Sequence, residues 1–443
     1  MGPLITWSYL ITHILPGPRS PSWFLPVLLL PLALLIPRST LSRSANAALF
    51  LPVIAACVFH SWKRTGALDV VSVDWLLWSF WLLVGRDVQG GFFRVVREGK
   101  GKGNGKGEGE GEGDGGIVEE GFPEDFWQRL RWVNKLLRNK QLVNWRIGVR
   151  SHDVRQPARP GFRSRGHFLR VAGASLVLAY VMLDLTTAYT SWDPYFTDVA
   201  TSIDAPLPHP HLSFLPPRVV RTTLHAAQLY AAVGLLLPLP TALPVLLASL
   251  HLFPQTWSPS PHKEPRYFGP WSTVFRHGLR GLWGGFWHQN MRFVAGGVGY
   301  SLAQALGLKE GGFARYAVLV SMTFLASGVL HMGLVPAEPL FVRRGVGVWG
   351  LRGRMAGFFW VQAVGILGEV GVERLVGGKG KGKGGWWRWV GNAGWVFLWL
   401  LVTLPVLMDV ERQLGYFRVW PVPVSLWRGV RGEGWVVWEF LVG

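Results

Sequence analysis

Charge is scarce in this chain, cysteine is almost absent, and acidic residues are fewer than basic ones. Only 16% of its 443 residues are charged, against roughly a quarter in an average soluble domain. So few ionic groups cannot clothe a water-facing surface of that extent, which excludes a soluble multidomain protein. The single cysteine, Cys57, lies inside an apolar run, so a disulfide framework and a cysteine-based metal site are both excluded. The chain has no phosphate-cradling glycine loop, no histidine/cysteine spacing suited to a metal, and no serine-centred nucleophile elbow. Residues 1–19 carry no cleavable-signal pattern, and the first apolar segment ends in a basic flank, "PRSTLSR", so it is expected to be a retained span.

What is abundant is apolar and aromatic. There are 25 Trp and 25 Phe, and aromatic enrichment suits membrane–water interfaces. Runs 23–37, 168–185, 224–253, 316–335 and 395–408 approach or exceed the length needed to cross a bilayer. Runs 48–60, 69–85, 294–307 and 356–373 are shorter members of the same pattern. The expected fold is therefore all-α: a polytopic integral membrane helical bundle of about seven to nine transmembrane helices. The 224–253 run contains Pro238, Pro240 and Pro244, which leaves a kinked single span and a re-entrant pair both open.

The formal charge of +19 is distributed between the spans. Residues 129–170 hold twelve Lys/Arg and one acid, Asp153. A solvated cytosolic loop beside anionic lipid accounts for that bias, and no motif supports nucleic-acid binding. Three regions follow. Residues 1–85 hold N-terminal spans; 86–167 form a cytosolic loop; 168–443 form the main transmembrane region, with its core at 224–340. Within the loop, the Gly/Lys/Glu tract 98–116 has no apolar face to bury and is expected to be disordered, as is the tract 377–385. Trp127, Leu130, Val133, Leu137 and Leu142 recur at roughly helical spacing between basic residues, the pattern of an amphipathic helix on the cytosolic leaflet.

Two stretches carry candidate chemistry. "GLWGGFWHQNMRF" (281–293) sets a histidine, an asparagine and an arginine among aromatics. Drawn as one helix over 275–293, it gathers Phe275, Leu279, Leu282, Phe286 and Phe293 into a stripe flanked by Trp283, Trp287 and Asn290. His277, Arg280, His288, Arg292 and three glycines take the other face, where each glycine costs roughly 1 kcal/mol in a helix interior. Close approach of a ligand or another backbone is the expected return. The second stretch is "TFLASGVLHMG" (323–333), in which Thr323, Ser327 and His331 form one polar line along an apolar span. A histidine inside a span is a functional candidate by default, and its ordinary pKa suits acid–base work. Single histidines at span ends, His60, His225 and His251, are expected at the interface. Asp184 and Glu369 are expected to pair with a nearby arginine.

Taken together, "RYFGPWSTVFRHGLRGLWGGFWHQNMR" and the later "FLASGVLHMG" resemble the wax-synthase-like branch of the membrane-bound O-acyltransferases. The resemblance has useful specificity over residues 140–340 and departs at "LWGG" and within "NWRIGVRSH" (144–152). It implies transfer of an acyl group, acetyl in many fungal members, from acyl-CoA to a hydroxyl of a terpenoid or other secondary metabolite in the endoplasmic reticulum. His331 matches the family's membrane-embedded histidine, the general base, and His288 stands where an assisting residue is placed. Trp283, Trp287, Gln289, Asn290, Arg292 and Ser327 are the associated candidates for binding substrate or acyl-CoA. The implied partners are the bilayer, acyl-CoA as co-substrate and a lipophilic alcohol, with no bound cofactor. The residues alone leave open a long-chain wax or sterol ester synthase, an inactive relative, and a polytopic transporter with His331 as a proton relay.

Overall fold

The computed structural model describes residues 22–438, apart from 23, 64–68, 98–116, 141, 143, 148–161, 163, 253–265, 288–291, 340, 344 and 377–384. The Gly-rich tract 98–116 therefore lies outside the described residues, as does nearly all of 377–385. Short helical turns are not numbered below.

Near the N-terminus, α1 (Leu25–Leu35), α2 (Arg43–Trp62) and α3 (Asp69–Phe80, continued by a wide π turn at Trp81–Gly85) pack together. A small antiparallel sheet follows, with β1 (Phe92–Arg97) between β2 (Ile117–Glu120) and β3 (Trp145–Ile147). The sheet was not expected from the sequence. Each strand is too short to show alternation, and β2 is separated from β1 by the Gly-rich tract. Between β2 and β3 runs α4 (Phe126–Leu137), which starts where Asp125 accepts from the amide of Gln128. This is the expected amphipathic helix, but its buried face is Arg129, Trp132, Val133, Leu136 and Leu137. That face covers the Trp78, Trp81 and Leu30 cluster, while Trp127 is exposed.

The main bundle contains α5 (Arg165–Trp192), α6 (Pro217–Leu236), α7 (Leu239–Ser249), α8 (Ser272–Gly281), α9 (Arg292–Ala305), α10 (Phe313–Met332), α11 (Val348–Val376) and α12 (Trp386–Gln413). Five of the described helices, α2, α5, α10, α11 and α12, are long and apolar enough to cross a membrane; α6 and α7, bent by 41° at the break between them, make a sixth if read as one span. Of the remaining expected spans, α1 has 11 residues, α9 has 14, and α3 with its π turn is also among the shorter apolar helices, so none reaches crossing length alone. The bend resolves the 224–253 run into two helices.

Neighbouring helices run antiparallel. Thr187 of α5 meets Gln228 of α6, Gly328 of α10 abuts Ala356 of α11, and Gln362 of α11 bonds Trp399 and Thr403 of α12. The starts of α5, α10 and α12 consequently share one end of the bundle, and their last turns share the other.

That second end is organised by an ion pair with no exposure on either side chain. Arg221 Nε and Nη2 donate to the two carboxylate oxygens of Asp193, each at 2.8 Å. Its Nη1 donates to the carbonyls of Ile203 and Ala205, each at 2.7 Å. One guanidinium thus orders the whole connection between α5 and α6.

At the other end, α8 is broken from within. Gly278 has φ +56°, the left-handed region open to glycine. A Cβ there would collide with the carboxylate of Glu369 on α11, which accepts the amide of Arg280 at 3.2 Å. The expected Glu369–arginine pairing is thus made with Arg280's backbone; the Arg280 side chain instead meets Glu373 at 3.3 Å. Asp184 also departs from expectation: it accepts from Trp420 Nε1 and the Trp427 amide, both at 2.9 Å.

Two predictions follow from these buried contacts. Arg221→Ala leaves a buried carboxylate unpaired and should cost about 3–5 kcal/mol. Arg218→Ala, removing an exposed pair with Asp204, should cost under about 1 kcal/mol. Melting of the purified chain in detergent checks the contrast, and equal melting temperatures would remove Arg221 from its organising role. Gly278→Ala should destabilise by more than about 1 kcal/mol, because alanine is strained at positive φ and its methyl displaces Glu369. The same melts read this, and a neutral result would mean that the break at 278 is not needed.

Candidate functional site

The aromatic stretch is not the single helix drawn from its periodicity. After the break at Gly278, residues Leu282–Phe286 form a π turn, and Trp287 is extended, with φ −62° and ψ 153°. The next described helix, α9, starts at Arg292. The 100° projection assumed an unbroken helix, whereas a left-handed residue and a wide turn both reset the phase.

The expected apolar stripe is only partly kept together. Leu279, Leu282 and Phe286 are buried in one cluster against Ile366 and Val396. Phe275 is 37% exposed, and Phe293 packs with Trp81 in the N-terminal cluster instead. Phe286 lies against Trp271 with ring centroids 3.9 Å apart, and Tyr230 and Phe268 complete the stack. Of the three glycines on the expected bare face, Gly281 alone meets another backbone; a Cβ at Gly285 would touch the Thr273 side chain, and one at Gly284 would meet nothing within 4 Å. A Cβ at Gly281 would strike the Thr273 carbonyl, and one at Gly269 would strike the carbonyl of Gly285. Gly269 also donates its amide to Phe286 O at 2.8 Å.

His288, Gln289 and Asn290 lie outside the described residues, and so does the side chain of Arg292. Trp283 and Trp287 are described, in edge contact at 6.0 Å. Trp283 also packs against Phe324 of α10 and Phe358 of α11. It belongs to two apolar clusters at once and joins them.

His331 sits in the last turn of α10. Its Nδ1 lies 2.7 Å from the carbonyl oxygen of Ser327. A carbonyl only accepts, so Nδ1 carries the proton and Nε2 keeps its lone pair. Ser327 therefore contributes backbone to the histidine. Thr323, the third member of the polar line, donates to Leu319 O at 2.6 Å and is spent on its own helix. The His331 ring lies flat on Phe359, 4.0 Å between centroids and 26° between planes. Phe359 and Phe358 share one cluster, so an aromatic series leads from Trp283 to His331.

At the opposite end of α10 a cavity of about 250 Å³ is lined by Arg280, Gly312, Arg315, Tyr316, Val370 and Arg374, among others. From Tyr316 to His331 the helix rises about 22 Å. Arg315 is held by the carbonyl of Leu308 at 3.1 Å, and Arg374 stands over Phe313. This cluster escaped the sequence reading because its arginines come from three separate helices.

His225 was expected at the interface, but it is 1% exposed. Its Nε2 is 3.3 Å from Glu411 of α12. The acid that explains its burial is far along the chain, so no local pattern announces it. Tyr416, just past α12, donates its hydroxyl to Leu334 O at 2.8 Å. Burial and the nearby Glu411 carboxylate push this phenol well above its usual range, so it stays a donor.

Residues 264–337, from the aromatic segment through His331, match the Membrane bound O-acyl transferase family. The chain is 26% identical to Acetyltransferase eriL of Hericium erinaceus over 403 residues, covering 89% of this chain and 92% of that protein. It is 30% identical to Acetyltransferase aurG of Calcarisporium arbuscula over 35% of this chain and 38% of that one. It is 27% identical to Acetyltransferase atnC of Arthrinium sp over 60% and 59%, respectively. No solved structure matches. With its polytopic helical architecture, a block ending just past the span histidine that matches the membrane-bound O-acyltransferase family, and an acetyltransferase relative similar over nearly its full length, the chain is an acyltransferase that resembles that family.

Proposed function

We propose that this acyltransferase moves an acetyl group from acetyl-CoA to a hydroxyl of a lipophilic acceptor, a terpenoid or related secondary metabolite, in the endoplasmic reticulum membrane. The observation that carries the reading is His331: a span histidine inside the matched block, with Nδ1 committed to Ser327 and Nε2 left to take a proton. The names of the relatives support the acetyl donor.

In this reading the acceptor hydroxyl approaches Nε2 of His331, which removes its proton as the oxygen attacks the thioester carbonyl. The carbonyl becomes an oxyanion, which then collapses with departure of the CoA thiolate; the proton taken by His331 passes to that sulfur. His288 assists, either as donor to the oxyanion or by holding the acyl donor. Trp283, Trp287, Gln289, Asn290 and Arg292 are the residues assigned to binding substrate or the acyl donor, and Ser327 fixes the base. The arginine-lined cavity supplies positive charge for the phosphates of CoA. The aromatic series beyond it gives the pantetheine arm an apolar course toward His331.

Microsomes containing the chain, given labelled acetyl-CoA or palmitoyl-CoA and a panel of terpenoid and fatty alcohols, should form labelled ester from the acetyl donor. His331→Ala at matched expression should lower that rate by at least about 100-fold, the lower range of general-base effects. Ester formed equally by His331→Ala ends its role as base, and preference for palmitoyl-CoA moves the reading to wax-type chemistry. Arg374→Ala should raise the KM for acetyl-CoA about tenfold, with the acceptor KM unchanged. A KM for acetyl-CoA equal to that of the parent would detach the cavity from donor binding.

A further inference from the structure

The bundle end that holds His331 contains a second set of polar groups for which the acyl-transfer step has no use. His225 is 1% exposed and Thr222 is 4% exposed. Among the described residues, neither ring nitrogen of His225 makes a hydrogen bond, and Thr222 Oγ1 and Gln228 Oε1 are likewise buried without one. Glu411 lies 3.3 Å from His225 Nε2, within ionic range but outside hydrogen-bond geometry, and Phe417 closes the ring edge-on at 5.4 Å. Each unsatisfied buried polar atom costs roughly 1–3 kcal/mol. Several in a row along one helix inside an apolar bundle ask for a partner.

Their position says which partner. Thr222, His225, Ala226 and Leu229 follow one another at helical spacing and share a face of α6. Ala226 and Leu229 pack in the same apolar cluster as Phe359, the ring on which His331 lies. The bond from Tyr416 to Leu334 ties the turn after Glu411 to the turn after His331. The two histidines therefore border one apolar cluster at one end of the bundle, His331 from α10 and His225 from α6. Neutral imidazole offers one donor and one acceptor, and a carboxyl group beside it adds to both, which matches a hydroxyl or a carbonyl oxygen.

We propose that His225, Glu411 and Thr222 form an acceptor-binding site that receives a second oxygen function, a hydroxyl or carbonyl remote from the hydroxyl being acylated. The preferred acceptor is then a lipophilic skeleton oxygenated at two places, one held at His225 and the other presented to His331. This site deepens the acyltransferase reading and rests on it.

The test uses the full-length chain purified in detergent and matched pairs of terpenoid alcohols, one member monohydroxylated and the other carrying an additional ketone or hydroxyl at the far end. Binding is followed by tryptophan fluorescence and ester formation by labelled acetyl-CoA. The parent should bind the doubly oxygenated member at least about tenfold more tightly in some pair. His225→Phe should level that preference, and Thr222→Val, which keeps shape and loses the hydroxyl oxygen, should reduce it several-fold. His331→Ala should keep the binding preference while losing transfer. If the preference exists but no parent sample forms ester, the acyltransferase reading fails separately from this site. Equal binding of both members in every pair overturns the proposal. So does a preference that survives both His225→Phe and Thr222→Val. Should His225→Phe not fold, Glu411→Gln and Thr222→Val carry the same readout.

Discussion

A carboxylate inside an apolar helix must find donors, and Glu369 finds them where α8 breaks. Its acceptance of the Arg280 amide is possible because Gly278 turns the backbone through the left-handed region and brings no side chain to the contact. In a bilayer an unpaired backbone amide costs several kcal/mol, so a broken helix survives only if something pairs its freed groups. Glu369 does so, and the aromatic segment beyond the break depends on it. From there Leu279, Leu282 and Phe286 are set against α11 and α12, and Trp283 reaches between α10 and α11.

The other end of the bundle is governed by a different economy of charge. Arg221 and Asp193 neutralise one another without solvent, and the remaining guanidinium protons satisfy carbonyls of the connecting loop. A fully bonded pair of this kind fixes geometry, since any relaxation exposes a charge to apolar surroundings. His331, His225 and Glu411 all lie toward this fixed end. The base at His331 is oriented by its own helix through Ser327, which requires no neighbour to hold its tautomer. His225 has no such internal partner and depends on α12.

Much of this could be read from composition. The long apolar runs announced the spans because a bilayer demands unbroken hydrophobic length, and α2, α5, α10, α11 and α12 answer that demand. The polar line Thr323, Ser327, His331 was visible because it lies within one straight helix, where spacing maps directly onto direction. The same rule misled at 275–293, since Gly278 and the π turn alter the angle per residue without altering the pattern of letters. The three-stranded sheet escaped for want of length in any strand. His225 and the arginine-lined cavity escaped for a deeper reason: their meaning is supplied by other helices, and no local window contains both halves. His288, whose role came from the resemblance, stands outside the described residues.

The crossing of residues 269 and 285 has a consequence for variation. Gly269 meets the carbonyl of Gly285 and Gly281 meets that of Thr273, so backbone touches backbone on both sides of the aromatic segment. A ring on this segment can be exchanged for another of similar size, since its neighbours are other side chains that can rotate. A single added methyl at either crossing has no such outlet, because what it strikes is the main chain. At these two crossings the usual ordering of tolerance is thereby inverted, with Gly269 and Gly281 less replaceable than the rings between them.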